Sequence, residues 1–366
     1  MSGPSDQVEG TMRAAVYRGA QTVQVERVQT PPIGPGEILI RVASCGICHT
    51  DLKKIEHDLL PPPRIYGHET AGVVAAVGDG VTKYVPGDRV CVFHHIPCQD
   101  CFYCRRRAYA QCETYKKVGV TAGFEPAGGG FAEYVRVMDW IVERGVEKIP
   151  DGMSFEKATF VEPVNTCLKG LEKCALDDEE SVVVLGQGPI GLLFTMLLAH
   201  KPGATVYATD IMPLRLEKSM RLGAREAFDA SSFDLGRELR ARTNGRGADV
   251  AIVAASAPGI VEQAVAATRP GGRVMLFAQT SPQESFTLDG AGVGKGERMI
   301  FGSYSASVEL QRQSAETVWR EDFPVEELIS HRLPLAELQR GMELARRPSE
   351  GSLKILVCPQ EGSDRD

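Results

Sequence analysis

The stretch SVVVLGQGPIGLLFTMLLAHKPGATVYATD, residues 181–210, constrains the fold more than any other part of the chain. It reads as a β-prone run, a glycine turn, an apolar helix and a second β-prone run, and parallel strands need a crossover of this kind. The alternation continues through LRLEKSMRLGA, ADVAIVAA, GIVEQAVAATRPGG and RVMLFAQ. Residues 156–300 are therefore expected to form an open α/β domain with a parallel sheet.

Within that stretch, Gly186, Gly188, Pro189, Ile190 and Gly191 belong to GQGPIG, directly after SVVVL and at the start of the helix. The first glycine permits the tight turn, the second lets the backbone approach a pyrophosphate, and the third allows close helix-to-sheet packing. Phosphate oxygens then meet unpaired N–H groups at the helix N-terminus. Alone the pattern is weak, because a plain glycine turn also satisfies it. Asp210 strengthens it by ending the next strand, at the spacing of an acid that accepts hydrogen bonds from an adenosine ribose. A carboxylate there repels a 2'-phosphate and favours NAD over NADP; capping of the following helix is its other reading. Arg215 can stack on adenine or serve as a solvated helix charge.

From Met12 to Val142 the pattern is different. AAVYRG, VQVERV, EILIRVAS, AGVVAAVG, DRVCVF and FAEYVRV read as short strands, and PPIGPGE and YVPGD between them favour bends over helices. A β-rich, barrel-like domain is expected over residues 1–155. Residues 301–366 hold helical segments and one strand, too little for an independent domain, and are expected to return to the first; EGSDRD at the end is expected to fray. A length of 366 residues suits two domains better than one core.

Composition narrows the function classes. Hydrophobic residues at 43% and charged residues at 24% are ordinary for a globular protein and speak against disorder or a fibre. A formal charge of -7 offers no basic surface for nucleic acid. MSGPSDQVEG lacks the character of a signal peptide, and no apolar run approaches the roughly 20 residues that span a bilayer. The expectation is a cytoplasmic protein acting on a small molecule, without a membrane partner.

Seven of the ten cysteines lie between Cys45 and Cys112, which in a reducing compartment reads as metal ligation. Cys98, Cys101, Cys104 and Cys112 form C-x2-C-x2-C-x7-C. Four thiolates so spaced can surround one tetrahedral zinc, leave no open position and hold a loop that lacks a core of its own. An iron–sulfur cluster shares the first spacings but requires a closing Cys-Pro that is absent.

A second set is dispersed. SCGICHTDLKK offers Cys45 and Cys48, YGHETAG offers His68 and Glu69, and FVEPVNTCLKG offers Glu162. A thiolate, an imidazole and a carboxylate can converge on zinc with a position left for substrate. Such a zinc lowers the pKa of a bound alcohol and makes hydride release to a nicotinamide feasible. Thr50 can relay the hydroxyl proton, with Lys53 as an outer base or tuning charge. Singly each is ambiguous: His68 can be a satisfied structural histidine, Glu69 and Glu162 pairing charges, Thr50 a turn hydroxyl and Lys53 a solvated charge.

With these motifs, and with PGDRV and GGFAEY, the chain resembles the medium-chain zinc-containing alcohol and polyol dehydrogenases over nearly its whole length. The resemblance implies a GroES-like catalytic domain built from the first part and the tail, a Rossmann domain between, and an active site in the cleft. It implies Cys48 and His68 as catalytic zinc ligands, with Cys45 outside the set. Glu162 stands where ethanol-type enzymes have cysteine and sorbitol and threonine dehydrogenases have glutamate. Glu69 is similar to a carboxylate that binds zinc directly or lies just beyond it, Asp51 to the acid that orients the zinc histidine, His49 to a pyrophosphate contact and Thr166 to a residue packed near the nicotinamide. The implied cofactors are NAD and two zinc ions, one catalytic and one structural, in a homodimer or homotetramer joined through the nucleotide domains, along RVMLFAQ or the stretch around MIFGSYS.

The chain also departs from the pattern. Lys53, followed by Lys54, stands where sorbitol and threonine dehydrogenases commonly keep a relay histidine, and Ser305 stands where polyol enzymes often carry a substrate-contacting arginine. Sorbitol itself is thereby put in doubt, and a phosphorylated or carboxylated substrate comes into view. The leading expectation is NAD-linked oxidation of a polyol, sugar or related secondary alcohol. The rivals are a threonine-type enzyme, a general aliphatic or aromatic alcohol dehydrogenase, and a catalytically silent nucleotide-binding protein; the ligand set speaks against zinc-free quinone reductase chemistry.

Overall fold

Two hydrophobic rhythms divide the structure. Where residues alternate, as in ILIRVASCG with Ile38, Ile40 and Val42 buried and Arg41 exposed, strands form with one face on a core. Where the apolar run is continuous, as in Val182–Leu185, both faces are covered, and each side chain contributes roughly 1.5–3 kcal/mol on burial. The computed structural model describes residues 10–114, 128–278, 285–348 and 351–360. The polar N-terminal residues through Glu9, Gln279 of RVMLFAQ and the EGSDRD tail lie outside them.

The chain opens with β1 (Thr11–Gly19), β2 (Thr22–Gln29), β3 (Ile38–Gly46), α1 (His49–Glu56), β4 (Arg64–Ile65), β5 (Glu69–Val77) and β6 (Arg89–Val92). After the cysteine loop come β7 (Tyr134–Val137), α2 (Asp139–Arg144), β8 (Val146–Lys148), α3 (Phe155–Ala158) and α4 (Val161–Cys174). The alternating stretch holds β9 (Ser181–Leu185), α5 (Pro189–Ala199), β10 (Thr205–Asp210), α6 (Pro213–Arg221), β11 (Glu226–Asp229), α7 (Leu235–Arg242), β12 (Ala248–Val253), α8 (Ile260–Ala267), β13 (Thr268–Leu276), α9 (Gly290–Gly294) and β14 (Met299–Gly302). The tail adds α10 (Gln311–Trp319), β15 (Ile329–Pro334), α11 (Leu338–Arg346) and β16 (Lys354–Cys358).

By packing, one unit comprises residues up to Asn165 together with those from Ala306 onward, and the other runs from Thr166 to Ser305. In the first, β2-β1-β4 form a small sheet and β15-β16-β3-β5-β6-β8 a larger one, with β7 also paired to β3. This is the β-rich, GroES-like architecture. β16 lies antiparallel to β3, with Leu356 opposite Gly46, so the tail supplies a strand beside the segment that carries Cys45 and Cys48.

The second unit is a six-stranded parallel sheet in the order β11-β10-β9-β12-β13-β14. Counted from β9 this is the doubly wound Rossmann order, whose ligand crevice opens where β9 and β12 diverge. Gly186, just past β9, has φ +93°, and a Cβ there would meet Ala255 beyond β12. Only glycine accepts both that angle and that approach.

Three sequence expectations change. RVMLFAQ is no sheet edge: β13 is paired on both sides, and β14 ends the sheet among the described residues. HTDLKKIE, read as part of a bend-rich domain, is helix α1, nucleated by Cys48 as N-cap and anchored by buried Leu52 and Ile55. The tail, read as one strand, contributes β15 as well as β16, because ISHRLP gains its partner only in the folded sheet.

Candidate metal and nucleotide sites

In the cysteine loop, Cys98, Cys101, Cys104 and Cys112 each bring a sulfur within 4.8 Å of the others. Cys98 and Cys104 sulfurs are 3.9 Å apart and those of Cys101 and Cys104 3.5 Å, close to the about 3.8 Å edge that zinc–sulfur bonds impose on a tetrahedron. Backbone N–H groups of Cys98 and Cys101 donate to Cys112 and Cys98 sulfurs, the contacts that stabilise thiolates. The donor set fits a zinc ion with no place for substrate.

The second centre is assembled by three adjacent strands and two helices. Cys48 caps α1 and its sulfur accepts from the Thr50 N–H at 3.5 Å. His68 precedes β5 and Glu69 begins it, and β3–β5 pairing places Gly46 opposite Glu69. Cys48, His68 and Glu69 each offer a ligand atom within 4.8 Å of the others. Asp51, 1% exposed, holds His68 Nδ1 at 3.0 Å, which turns Nε2 toward the centre. Burial lowers the His68 pKa, but Asp51 and the Cys48 sulfur outweigh it and hold it well above its ordinary value. The thiol, imidazole and carboxylate gathered here are soft and borderline donors that suit zinc.

Glu162 lies in the first turn of α4, and the structure gathers it with His94 and His95, again within 4.8 Å, not in the Cys48–His68–Glu69 group. Its Oε1 is 3.5 Å from His95 Nδ1. Burial pushes the Glu162 carboxyl up to about 7; His68 opposes this and Glu69 reinforces it, so it remains within the field of the other group.

Several of these residues escaped the sequence reading. His94 and His95 follow β6 after Phe93, and the signal was a histidine pair two residues before the cysteine loop. Lys354 was also missed. It is 5% exposed, ion-paired with Glu69, and donates to the Ile47 carbonyl at 3.5 Å. Its signal was a cation leading an apolar strand, a placement that needs a buried partner. A Cβ on Gly46 would collide with both members of that pair, which explains the glycine of CGIC. Burial holds the Lys54 pKa below its ordinary value, with Asp51, Cys48 and Glu162 offsetting part of the shift. Lys53 precedes it on α1; His49 is exposed and Thr50 half-buried at the start of that helix.

In the nucleotide unit, Gly188 caps α5, followed by Pro189, Ile190 and Gly191, and nothing but the Arg215 guanidinium at 3.8 Å stands where a Cβ would be. Asp210 ends β10, where its carboxylate accepts from Gln187 N at 2.6 Å and Met212 N at 2.9 Å, with Arg215 3.8 Å away. The carboxylate thus braces the glycine turn. Open backbone at a helix N-terminus beside a fixed acid fits a dinucleotide. Thr166 is half-buried on α4, and Ser305 has φ 62° just after β14.

A Rossmann sheet with this turn, a GroES-like unit and two zinc-suited centres define a zinc-binding, nicotinamide-dependent oxidoreductase. Residues 34–151 match the alcohol dehydrogenase GroES-like domain, and residues 189–321 the zinc-binding dehydrogenase family. The chain belongs to the medium-chain zinc-type alcohol and polyol dehydrogenases. It is 29% identical to sorbitol dehydrogenase of Bacillus subtilis, over 96% of this chain and 98% of that protein. It is 32% identical to (R,R)-butanediol dehydrogenase of the same organism, over 95% of this chain and 100% of that protein. A putative zinc-binding dehydrogenase from Sinorhizobium meliloti, solved with NADP, superposes with a TM-score of 0.86 at 27% identity, covering 96% of this chain and 100% of that one. No helix among the described residues is long and apolar enough to cross a membrane.

Proposed function

We propose that this chain transfers a hydride between a secondary alcohol, of the polyol or sugar type, and NAD. The convergence of Cys48, His68 and Glu69, with Asp51 fixing the His68 tautomer, carries the reading. Cys48, His68 and a carboxylate of Glu162 or Glu69 would hold a zinc ion, which when bound would supply Lewis-acid polarisation of the alcohol oxygen, with NAD as the hydride acceptor. The Thr50 hydroxyl receives the alcohol proton, and a lysine of α1, Lys53 by spacing, tunes its onward transfer. Lys354 holds the Glu69 carboxylate by charge and so competes with the metal for it. His49 meets the pyrophosphate, Thr166 packs near the nicotinamide, and Arg215 lies along the adenine. Relatives named for sorbitol and (R,R)-butanediol support the polyol class.

The preference for NAD rests on Asp210, whose two backbone hydrogen bonds leave a fixed anion facing any 2'-phosphate. Zinc-loaded protein is assayed for NAD and NADP reduction over polyols, sugars, threonine and simple alcohols, alongside Asp210→Gly. Polyol turnover with NAD, and a variant shifted toward NADP, are expected. Silence across the panel, or preference for threonine or simple alcohols, overturns the substrate class, and an unmoved cofactor ratio removes Asp210. Subunits join along β14, where Met299 is 58% exposed, into a homodimer or homotetramer. A monomer in light scattering would sink that assembly.

A further inference from the structure

Helix α4 carries two lysines one turn apart, Lys169 and Lys173, and both reach the same short stretch of backbone. Lys169 Nζ donates to the Tyr304 carbonyl at 2.8 Å, while Lys173 Nζ donates to the Gly302 carbonyl and stands 6.0 Å from the Phe301 ring. All five residues belong to the nucleotide unit. Two cations therefore share the end of β14, whose facing groups there, the Phe301 ring and backbone carbonyls, carry no charge. A surface lysine keeps its proton by staying in water, but Lys169 is half-buried and lies in the field of a second cation. Burial, then the Lys173 charge, lower its pKa from an ordinary 10.5 to about 8. Desolvation beside another cation is an arrangement that turns a lysine into a nucleophile. The bond to Tyr304 goes out through N–H, so it orients the amine without engaging the nitrogen lone pair.

We propose that Lys169 is a carbonyl-capture site, which forms an imine with a small hydroxy-ketone of the class that polyol oxidation releases, and that Lys173 is the neighbour that activates it. The nitrogen adds to the carbonyl carbon and the carbonyl oxygen becomes a hydroxyl. That hydroxyl leaves as water, taking both amine hydrogens in the process, so C=N replaces C=O and nothing is oxidised or reduced. At about pH 7.4 about a fifth of such an amine is neutral, against about a thousandth for an ordinary lysine. Lower basicity takes back about tenfold, on a Brønsted slope of about 0.4 as for thiols. A net advantage of about tenfold or more remains. The choice of a hydroxy-ketone rests on the hydride-transfer reading above; the test adds the ketone directly and needs no turnover, so silence in the alcohol assay leaves the capture site standing.

Zinc-loaded protein is incubated with dihydroxyacetone and cyanoborohydride, which reduces an imine to a stable secondary amine, and each lysine is followed by peptide mass spectrometry. At about pH 7.4, Lys169 is expected to be labelled about tenfold or more faster than the exposed Lys83 and Lys295. That lead should shrink as pH rises past about 8, because Lys169 is then largely neutral while exposed lysines go on losing protons. Lys173→Met removes the neighbouring charge and should slow Lys169 labelling severalfold, whereas Lys173→Arg should preserve it. NADH affinity reports whether each variant is intact, and the wild-type comparison stands without them. Labelling of Lys169 at the rate of Lys83 and Lys295 overturns the capture site, and an unchanged rate in intact Lys173→Met overturns the activating role of Lys173.

Discussion

The two metal centres of the first unit are built in opposite ways. The cysteine loop draws its four donors from Cys98 to Cys112, a short contiguous segment whose geometry is almost complete once the turns close. The other brings Cys48, His68 and Glu69 together from a helix cap and a strand start, beside Glu162 of a distant helix, which groups with His94 and His95, and with Lys354 from the far end of the chain. A local site closed by identical ligands holds structure. A dispersed site of mixed donors, with charges set around it by separate elements, leaves a position for chemistry.

That contrast predicts different consequences for similar lesions. The largest is Cys48→Ser: turnover should fall by more than the about 100-fold that loss of an outer-shell partner typically costs, while NADH binding by fluorescence persists. Retained activity with normal zinc content would break the distinction. Next is Cys104→Ser, which should release the loop and destabilise the protein, since loss of a structural metal is among the few single changes that exceed about 4 kcal/mol. Denaturant unfolding and loop-directed proteolysis read this, and a wild-type unfolding midpoint would show that the loop does not depend on its ion.

The smallest effect concerns Glu162 in zinc-stripped protein. Burial raises its carboxyl from an ordinary 4.5 to about 7, so its neutral form favours the fold below the lower value and that contribution is lost as pH rises through the upper one. Stability of the stripped protein should therefore decline between about pH 4.5 and 7, and Glu162→Gln should flatten the decline. Unfolding midpoints across that range decide it; equal slopes in the two proteins would place Glu162 outside the coupled centre.

Legibility followed the distance over which each feature is encoded. GQGPIG between β9 and α5, the alternation of the nucleotide unit and the cysteine spacing are local patterns, visible because turn geometry and periodicity act over a few residues. The helix of HTDLKKIE was hidden because eight residues with a modest apolar face have little intrinsic helicity and rely on the Cys48 cap and the core. Lys354 and the His94–His95 pair were hidden because burial, the property that gives them meaning, has no signature in spacing.

The sequence by itself determined the two-part architecture, the dinucleotide turn and a zinc loop, since each follows from periodicity or ligand spacing along one stretch of chain. Tertiary structure decided which strand ends the nucleotide sheet, that Lys354 opposes Glu69, and that Glu162 meets two histidines. The reason is physical: in a low-dielectric interior the state of each charged or polar group depends on neighbours brought from other elements, and only the folded chain specifies those.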